Sequence, residues 1–144
     1  MRRILEDAEG VFEGKEGALA SIFIDLQCPA CRSLFWQTRT AVASGAARLH
    51  WIPVATLGPV SLQLARFLLA ALDRVDALDG VFQPLSFRWD RVPRKRPGGG
   101  GSSRESMAVL ANTRLLRAIR GSNAPTPTVL TRQADGSFAV WPAQ

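Results

Sequence analysis

The chain has 144 residues, 47% of them hydrophobic and enough for one packed core, and a formal charge of +6 from 18 basic and 12 acidic residues. Arg88, Arg91, Arg94, Lys95 and Arg96 against Asp90 supply +4 of that +6, so the excess describes one loop and does not make the protein a nucleic-acid binder. The apolar run around Phe67 to Leu72 is far short of the about 20 residues that cross a bilayer, and Met1-Arg2-Arg3-Ile4-Leu5 turns acidic at Glu6 and Asp7, so neither a membrane span nor a signal peptide is expected.

In chain order, Gly10-Val11-Phe12-Glu13 reads as a short strand and Gly14 to Gly17 as a turn. Residues 18 to 25 form a mostly apolar run closed by Asp25, the pattern of a strand buried on both faces. A helix opens at Cys28, carries Leu34, Phe35, Thr38 and Val42 at spacings of three and four, and stops at Gly45. Ala47 to Val54 alternates as a strand, which makes a βαβ unit with parallel strands. His50, on the more polar side of that strand, reads as an exposed or hydrogen-bonded strand residue, because nothing places it beside Cys28.

Pro59 opens a second helix, with Val60, Leu64, Phe67, Leu68, Ala71, Leu72 and Val75 on one core-facing stripe. Residues 80 to 103 are an irregular insertion in which Phe82, Phe87 and Trp89 suggest a small packed turn, followed by the basic cluster and the linker-like stretch Gly98 to Ser103. Ser102 and Glu105 form a capping box for a helix with Met107, Leu110, Ala111, Leu115, Ala118 and Ile119 in step, ended by Gly121. Pro127 stands at the mouth of a strand, where an X-Pro bond permits a cis peptide. Leu130 to Trp141 form a hairpin that turns at Asp135-Gly136.

The two cysteines fall together in Cys28-Pro29-Ala30-Cys31, where the buried strand gives way to the first turn of a helix. Unpaired N–H groups and the positive end of the helix dipole stabilise an anion there, so Cys28 is expected to be a thiolate nucleophile. Cys31, one turn on, lies within reach of its sulfur and is the expected resolving thiol. Pro29 suits the first helical turn, since its missing N–H is not needed there. A zinc site normally takes four ligands and only His50 accompanies this pair, so no metal is expected. A structural disulfide over so short a loop would restrict the unfolded chain little. The pair therefore reads as redox-active, with no metal or organic cofactor required.

Phe23-Ile24-Asp25-Leu26-Gln27-Cys28-Pro29-Ala30-Cys31, then Leu34, Phe35 and Trp36, and far later Thr126-Pro127 before a strand and hairpin, resemble the thioredoxin-fold catalytic domain of the DsbC/DsbG thiol:disulfide interchange proteins. The resemblance covers roughly residues 10 to 141 and rests most on Thr126 before Pro127. It implies an α/β thioredoxin-like fold, a central mixed sheet flanked by helices, in a single domain over residues 1–144. It makes Cys28 the attacking and Cys31 the resolving thiol of an oxidoreductase or isomerase of protein disulfides. Pro127 is then the cis-proline facing them, Thr126 offers its backbone to an extended substrate, and Pro29 and Ala30 form the adjoining substrate surface. Ala30 stands where close relatives carry tyrosine. Partners implied are proteins with disulfides or thiols and a redox partner that recharges the pair. The family is exported, so a periplasmic setting follows if a signal has been removed, and a cytoplasmic one stays open otherwise. The family's closing helix is missing after the hairpin, which would leave one sheet face for a partner or a second copy of the chain. The same fold also admits a non-catalytic interaction module of a larger secretion or conjugation assembly, working through Arg88 to Arg96 or that face.

Overall fold

The structure is a computed structural model that describes residues 1–82 and 103–142. In chain order the elements are helix α1 (Arg2–Asp7), strands β1 (Val11–Glu13) and β2 (Leu19–Asp25), helices α2 (Pro29–Gln37) and α3 (Arg39–Ala43), and strand β3 (Arg48–Val54). Helices α4 (Pro59–Ala70), α5 (Arg74–Val81) and α6 (Ser103–Arg120) follow, then strands β4 (Thr128–Arg132) and β5 (Phe138–Trp141). The basic cluster Arg88 to Arg96, Phe87, Trp89, the glycine run and the Ser102 cap lie outside the described residues.

The apolar run of β2 places it centrally, in a five-stranded sheet of order β1-β3-β2-β4-β5. β2 runs parallel to β3 and antiparallel to β4, and β1 and β5 pair antiparallel at the two edges, so the sheet is mixed. Alternate residues of β2 enter two apolar clusters, as period-2 geometry requires. Ile22 and Ile24 join Phe35, Trp51, Leu64, Leu68, Leu78 and Phe82 in one. Phe23 joins Leu5, Ile52, Val54, Leu116 and Leu130 in the other.

Several helices differ from the periodic reading. Residues 2–7, unassigned from the sequence, form α1, whose Leu5 is buried in the second cluster. The first long helix breaks at Thr38, because the Phe35 carbonyl accepts from Thr38 Oγ1 at 2.7 Å and Arg39 Nε at 3.0 Å, side chains that compete for a helical acceptor. The second breaks after Ala70, where Ala71 turns extended and the Asp73 carboxylate caps a new helix by accepting from Asp76 N–H at 3.0 Å. Leu72 is consequently exposed, Val60 and Val75 partly so, and the buried stripe of α4 is Ser61, Leu64, Ala65, Leu68 and Leu69.

The irregular segment begins later than expected, since α5 runs to Val81 and Phe82 is buried. On α6 the inward residues are Val109, Asn112, Thr113 and Leu116, whereas Met107 and Leu110 are exposed. Asn112 Nδ2 donates to the Glu9 and Pro53 carbonyls at 2.9 and 3.0 Å, and Thr113 Oγ1 accepts from Ala55 N–H at 3.0 Å. These polar residues satisfy backbone groups at the end of β3 and before β1, which outweighs the apolar stripe read from the sequence.

His50 also differs: it is fully buried, and among the described residues neither ring nitrogen makes a hydrogen bond within ordinary limits. Its register partner Phe12 covers it in a stack with ring centroids 3.9 Å apart. Gly10 passes so close that a Cβ there would meet the Trp51 carbonyl at 2.1 Å and His50 Nε2 at 2.9 Å. Burial pushes the imidazole down to about 4, against smaller upward pulls from the Ala8 backbone and Glu9. A base with a depressed folded pKa leaves the unfolded chain holding the extra proton, so stability falls as pH drops below the unfolded value of about 6.5. Urea unfolding from pH 6.5 to about 4.5 is expected to show this loss, approaching about 3 kcal/mol near pH 4. In a Cys28→Ala background, which removes the separate loss that a thiol depressed to about 5 adds over this window, His50→Leu should lack that slope. Glu13 contributes a separate loss only below about 4.5.

Candidate thiol site

Asp25 ends β2 and is fully buried. Its Oδ1 accepts from Gln27 N–H at 3.0 Å and Ser61 Oγ at 2.6 Å. Its Oδ2 accepts from Thr56 N–H, Thr56 Oγ1 and Leu57 N–H at 2.9, 3.1 and 3.1 Å. Gln27 Nε2 donates to Ser61 Oγ at 2.8 Å, closing a ring of contacts between the β2–α2 and β3–α4 turns. The Asp25 carbonyl accepts from Cys28 N–H at 3.0 Å, which sets the chain direction as α2 begins.

Cys28 is the N-cap of α2, with extended backbone and Pro29 at the first helical position. Its carbonyl accepts from Arg32 N–H at 3.1 Å, and its sulfur accepts from Cys31 N–H at 3.4 Å, as a capping side chain does. Cys28 is 8% exposed and Cys31 is not exposed, and both are free thiols. Pro29 and Ala30 are exposed beside them.

Because β4 pairs with β2 at Thr128 opposite Phe23, the residues before β4 arrive at the end of β2 although they are a hundred positions away in sequence. The Thr126 carbonyl lies 3.4 Å from Cys28 Sγ and accepts its thiol proton. The Thr126–Pro127 bond is cis, Pro127 is buried, and Thr128 Oγ1 donates to the Pro125 carbonyl at 2.7 Å. Cys28, Cys31 and Thr126 thus meet, Pro127 follows directly, and Pro29 and Ala30 form the rim. His50 takes no part.

The thiols are pushed in opposite directions. A hydrogen bond from the Cys31 side chain lowers Cys28 to about 5, aided by the side chain of Thr126 and by the N–H groups of Cys31 and Ala30, and opposed by burial. Cys31 is pushed well up by the Cys28 sulfur and by burial, so one proton stays on the deeper sulfur. The arrangement can hold an accessible thiolate nucleophile over a protonated partner.

Beneath it, Phe35 packs fully buried against Trp51, Trp36 and Phe82, and the Arg39 guanidinium lies 3.7 Å over the Phe35 ring. Arg39 pairs in a two-bond fork with Glu13 at 2.8 and 2.6 Å, and Glu13 also accepts from Trp51 Nε1 at 2.8 Å. Burial raises the Glu13 carboxyl, but the Arg39 and Trp51 hydrogen bonds outweigh it and hold the group below its ordinary value. The Trp36 indole donates to the Phe82 carbonyl. These contacts fix α2 against β3 and the end of α5, and the start of α3 against β1.

The sequence reading missed Asp25, Gln27, Thr56 and Ser61. An acidic residue closing an apolar strand was the one available signal, and its donors come from a turn some thirty residues later. Among the described residues no three His, Cys, Asp or Glu side chains converge on a point that could hold a metal, and no helix is long and apolar enough to cross a membrane. Asp25→Ala would strand several buried donors at about 1–3 kcal/mol each, so a loss of about 3 kcal/mol in urea unfolding is expected after partial relaxation.

Compared with protein-family models and with curated proteins, the sequence matches none. Solved structures do match it. The thiol-disulfide exchange protein alpha-DsbA2 from Wolbachia pipientis is 18% identical, with 96% of this chain and 83% of that one covered and a TM-score of 0.69. A periplasmic thioredoxin-like protein from Salmonella enterica serovar Typhimurium is 16% identical over 95% of this chain and 84% of that one, with a TM-score of 0.72. Proteus mirabilis ScsC in a compact conformation is 15% identical over 96% of this chain and 69% of that one, with a TM-score of 0.73. At such identities the likeness is one of architecture, and the mixed five-stranded sheet flanked by helices is a thioredoxin-like fold.

Proposed function

We propose that this protein is a thiol:disulfide oxidoreductase acting on protein disulfides, with Cys28 as nucleophile and Cys31 as resolving thiol. The observation that carries the reading is the placement of Cys28 as the N-cap of α2, its sulfur between the Cys31 N–H and the Thr126 carbonyl. The Cys28 thiolate attacks one sulfur of a substrate disulfide, and the other substrate sulfur leaves as a thiolate that takes a proton from water. Cys31 then loses its proton and attacks the Cys28 sulfur, which forms the Cys28–Cys31 disulfide and releases the second substrate thiol. The substrate gains two electrons and the pair loses two. A separate redox partner restores the dithiol, and run in reverse the same steps oxidise a substrate.

An extended substrate would lie along the backbone at Thr126 and Pro127, with Pro29 and Ala30 at its side, a backbone-led recognition that accepts many sequences. The narrower DsbC/DsbG-like isomerase reading rests on Thr126 before Pro127, and it requires the mixed disulfide to persist while the substrate reshuffles. A periplasmic setting accords with it, being the one named for the Salmonella neighbour.

Insulin reduction by dithiothreitol is the direct test. The protein should accelerate it and Cys28→Ala should not, whereas equal rates would overturn the reading. Refolding of scrambled ribonuclease would then separate isomerase from oxidoreductase. Thiolate absorbance against pH should titrate Cys28 near 5. Cys31→Ala, which removes the leading hydrogen-bond donor, should raise that value toward the ordinary cysteine range of about 8.5 without reaching it, because the helix start remains.

A further inference from the structure

At the opposite end of β2, six residues and about 20 Å along the strand from Asp25, after which the thiols follow, a cavity of about 310 Å³ lies between α1 and the sheet. That volume is at the lower end for small-molecule sites, and at about 30 Å³ per water it takes about ten non-hydrogen atoms. Leu5, Leu19 and Phe138 supply its apolar wall. Ser21 also lines it, is 5% exposed, and its hydroxyl has no hydrogen-bond partner among the described residues. The hydroxyl keeps some contact with solvent through the cavity, so a polar atom there can take the place of water on it.

The sheet register places charge beside that hydroxyl. Arg48 of β3 pairs with Leu19 on one side of β2, and Arg132 of β4, one step beyond the Ala20–Thr131 pair, is level with Leu19 on the other side. Both line the cavity and flank β2, with backbones about 10 Å apart. Among the described residues neither forms an ion pair. The remaining charges at the mouth are Arg2 and Glu6 of α1, which pair with each other at 2.8 Å, and Glu6 also feels Arg132 and Arg48 at longer range. Two positive charges are therefore left over an apolar chamber with one open hydroxyl.

We infer that this cavity binds a small amphipathic monocarboxylate, its carboxylate over Leu19 between Arg48 and Arg132 within reach of the Ser21 hydroxyl, and its apolar body against Leu5 and Phe138. The site is separate from the thiols and does not depend on the function proposed for them.

Octanoate is the probe, with acetate and octanol as its charged and apolar halves. Calorimetry on the full chain should show saturable one-to-one binding of octanoate and binding at least about tenfold weaker for either half. Arg48→Glu with Arg132→Glu should weaken octanoate at least about tenfold at unchanged Cys28 alkylation rate. Should that pair of reversals unfold the chain, Arg48→Gln with Arg132→Gln gives the same comparison with less repulsion. Ser21→Leu, which fills the chamber, should also remove binding, and octanoate should shift the amide resonances of Leu19 and Ser21. Absence of saturable binding, acetate binding as well as octanoate, or full affinity in the folded arginine variants would each overturn the assignment.

Discussion

Asp25 is fully buried at the end of the central strand, and a carboxyl group taken out of water at that depth is tolerated only where hydrogen bonds replace its hydration. Its side chain accepts five, from Gln27, Thr56, Leu57 and Ser61, while its carbonyl takes the Cys28 N–H. Two turns from different βα units are thereby tied to one residue, and the start of α2 is tied to both. The capping geometry of Cys28, its access to Cys31 N–H and its contact with Thr126 all presuppose that the chain leaves β2 in this direction.

Given that direction, electrostatics separates the two cysteines. Similar thiols one helical turn apart in the same apolar cluster experience opposite environments, because Cys28 caps the helix and keeps slight exposure while Cys31 is wholly enclosed. Each also acts on the other: the proton retained by Cys31 stabilises the anion on Cys28, and that anion makes Cys31 harder to ionise. The platform below is polar at its edge and aromatic at its centre, with the Arg39–Glu13 pair holding charge over Phe35 while Trp51 takes the remaining carboxylate capacity. The two ends of β2 thus differ in character, with the thiols following its C-terminal end and, among the described residues, two arginines without an ion pair beside its N-terminal end.

Polar side chains shape the interior elsewhere too. Asn112 and Thr113 face inward on α6 because β3 ends with backbone groups that need partners. His50 shows the opposite arrangement, a polar ring enclosed beneath Phe12 and Gly10 with no hydrogen bond within ordinary limits among the described residues. The first contributes stability across the pH range, and the second makes stability fall toward acid.

The strands, the parallel βαβ unit, the hairpin turn at Asp135-Gly136 and the position of Cys28 at a helix start were legible in the sequence, because each depends on residues within a few positions of one another. Period-2 runs, a proline after the N-cap and an Asp-Gly turn act locally, so they look the same in the chain and in the fold. The helix break at Thr38, the inward face of α6, the enclosure of His50 and the donors around Asp25 were not legible, since their causes lie across the sheet or in another turn. Thr126 and Pro127 could be marked as a strand entry from sequence and tied to the thiols by resemblance. Their place against Cys28 was decided by the pairing of β4 with β2. Sequence alone determined which groups can do chemistry here, because reactivity belongs to residue type and local backbone. Tertiary structure decided which of them meet and how deeply each is buried, because proximity and desolvation come from segments far apart in the chain.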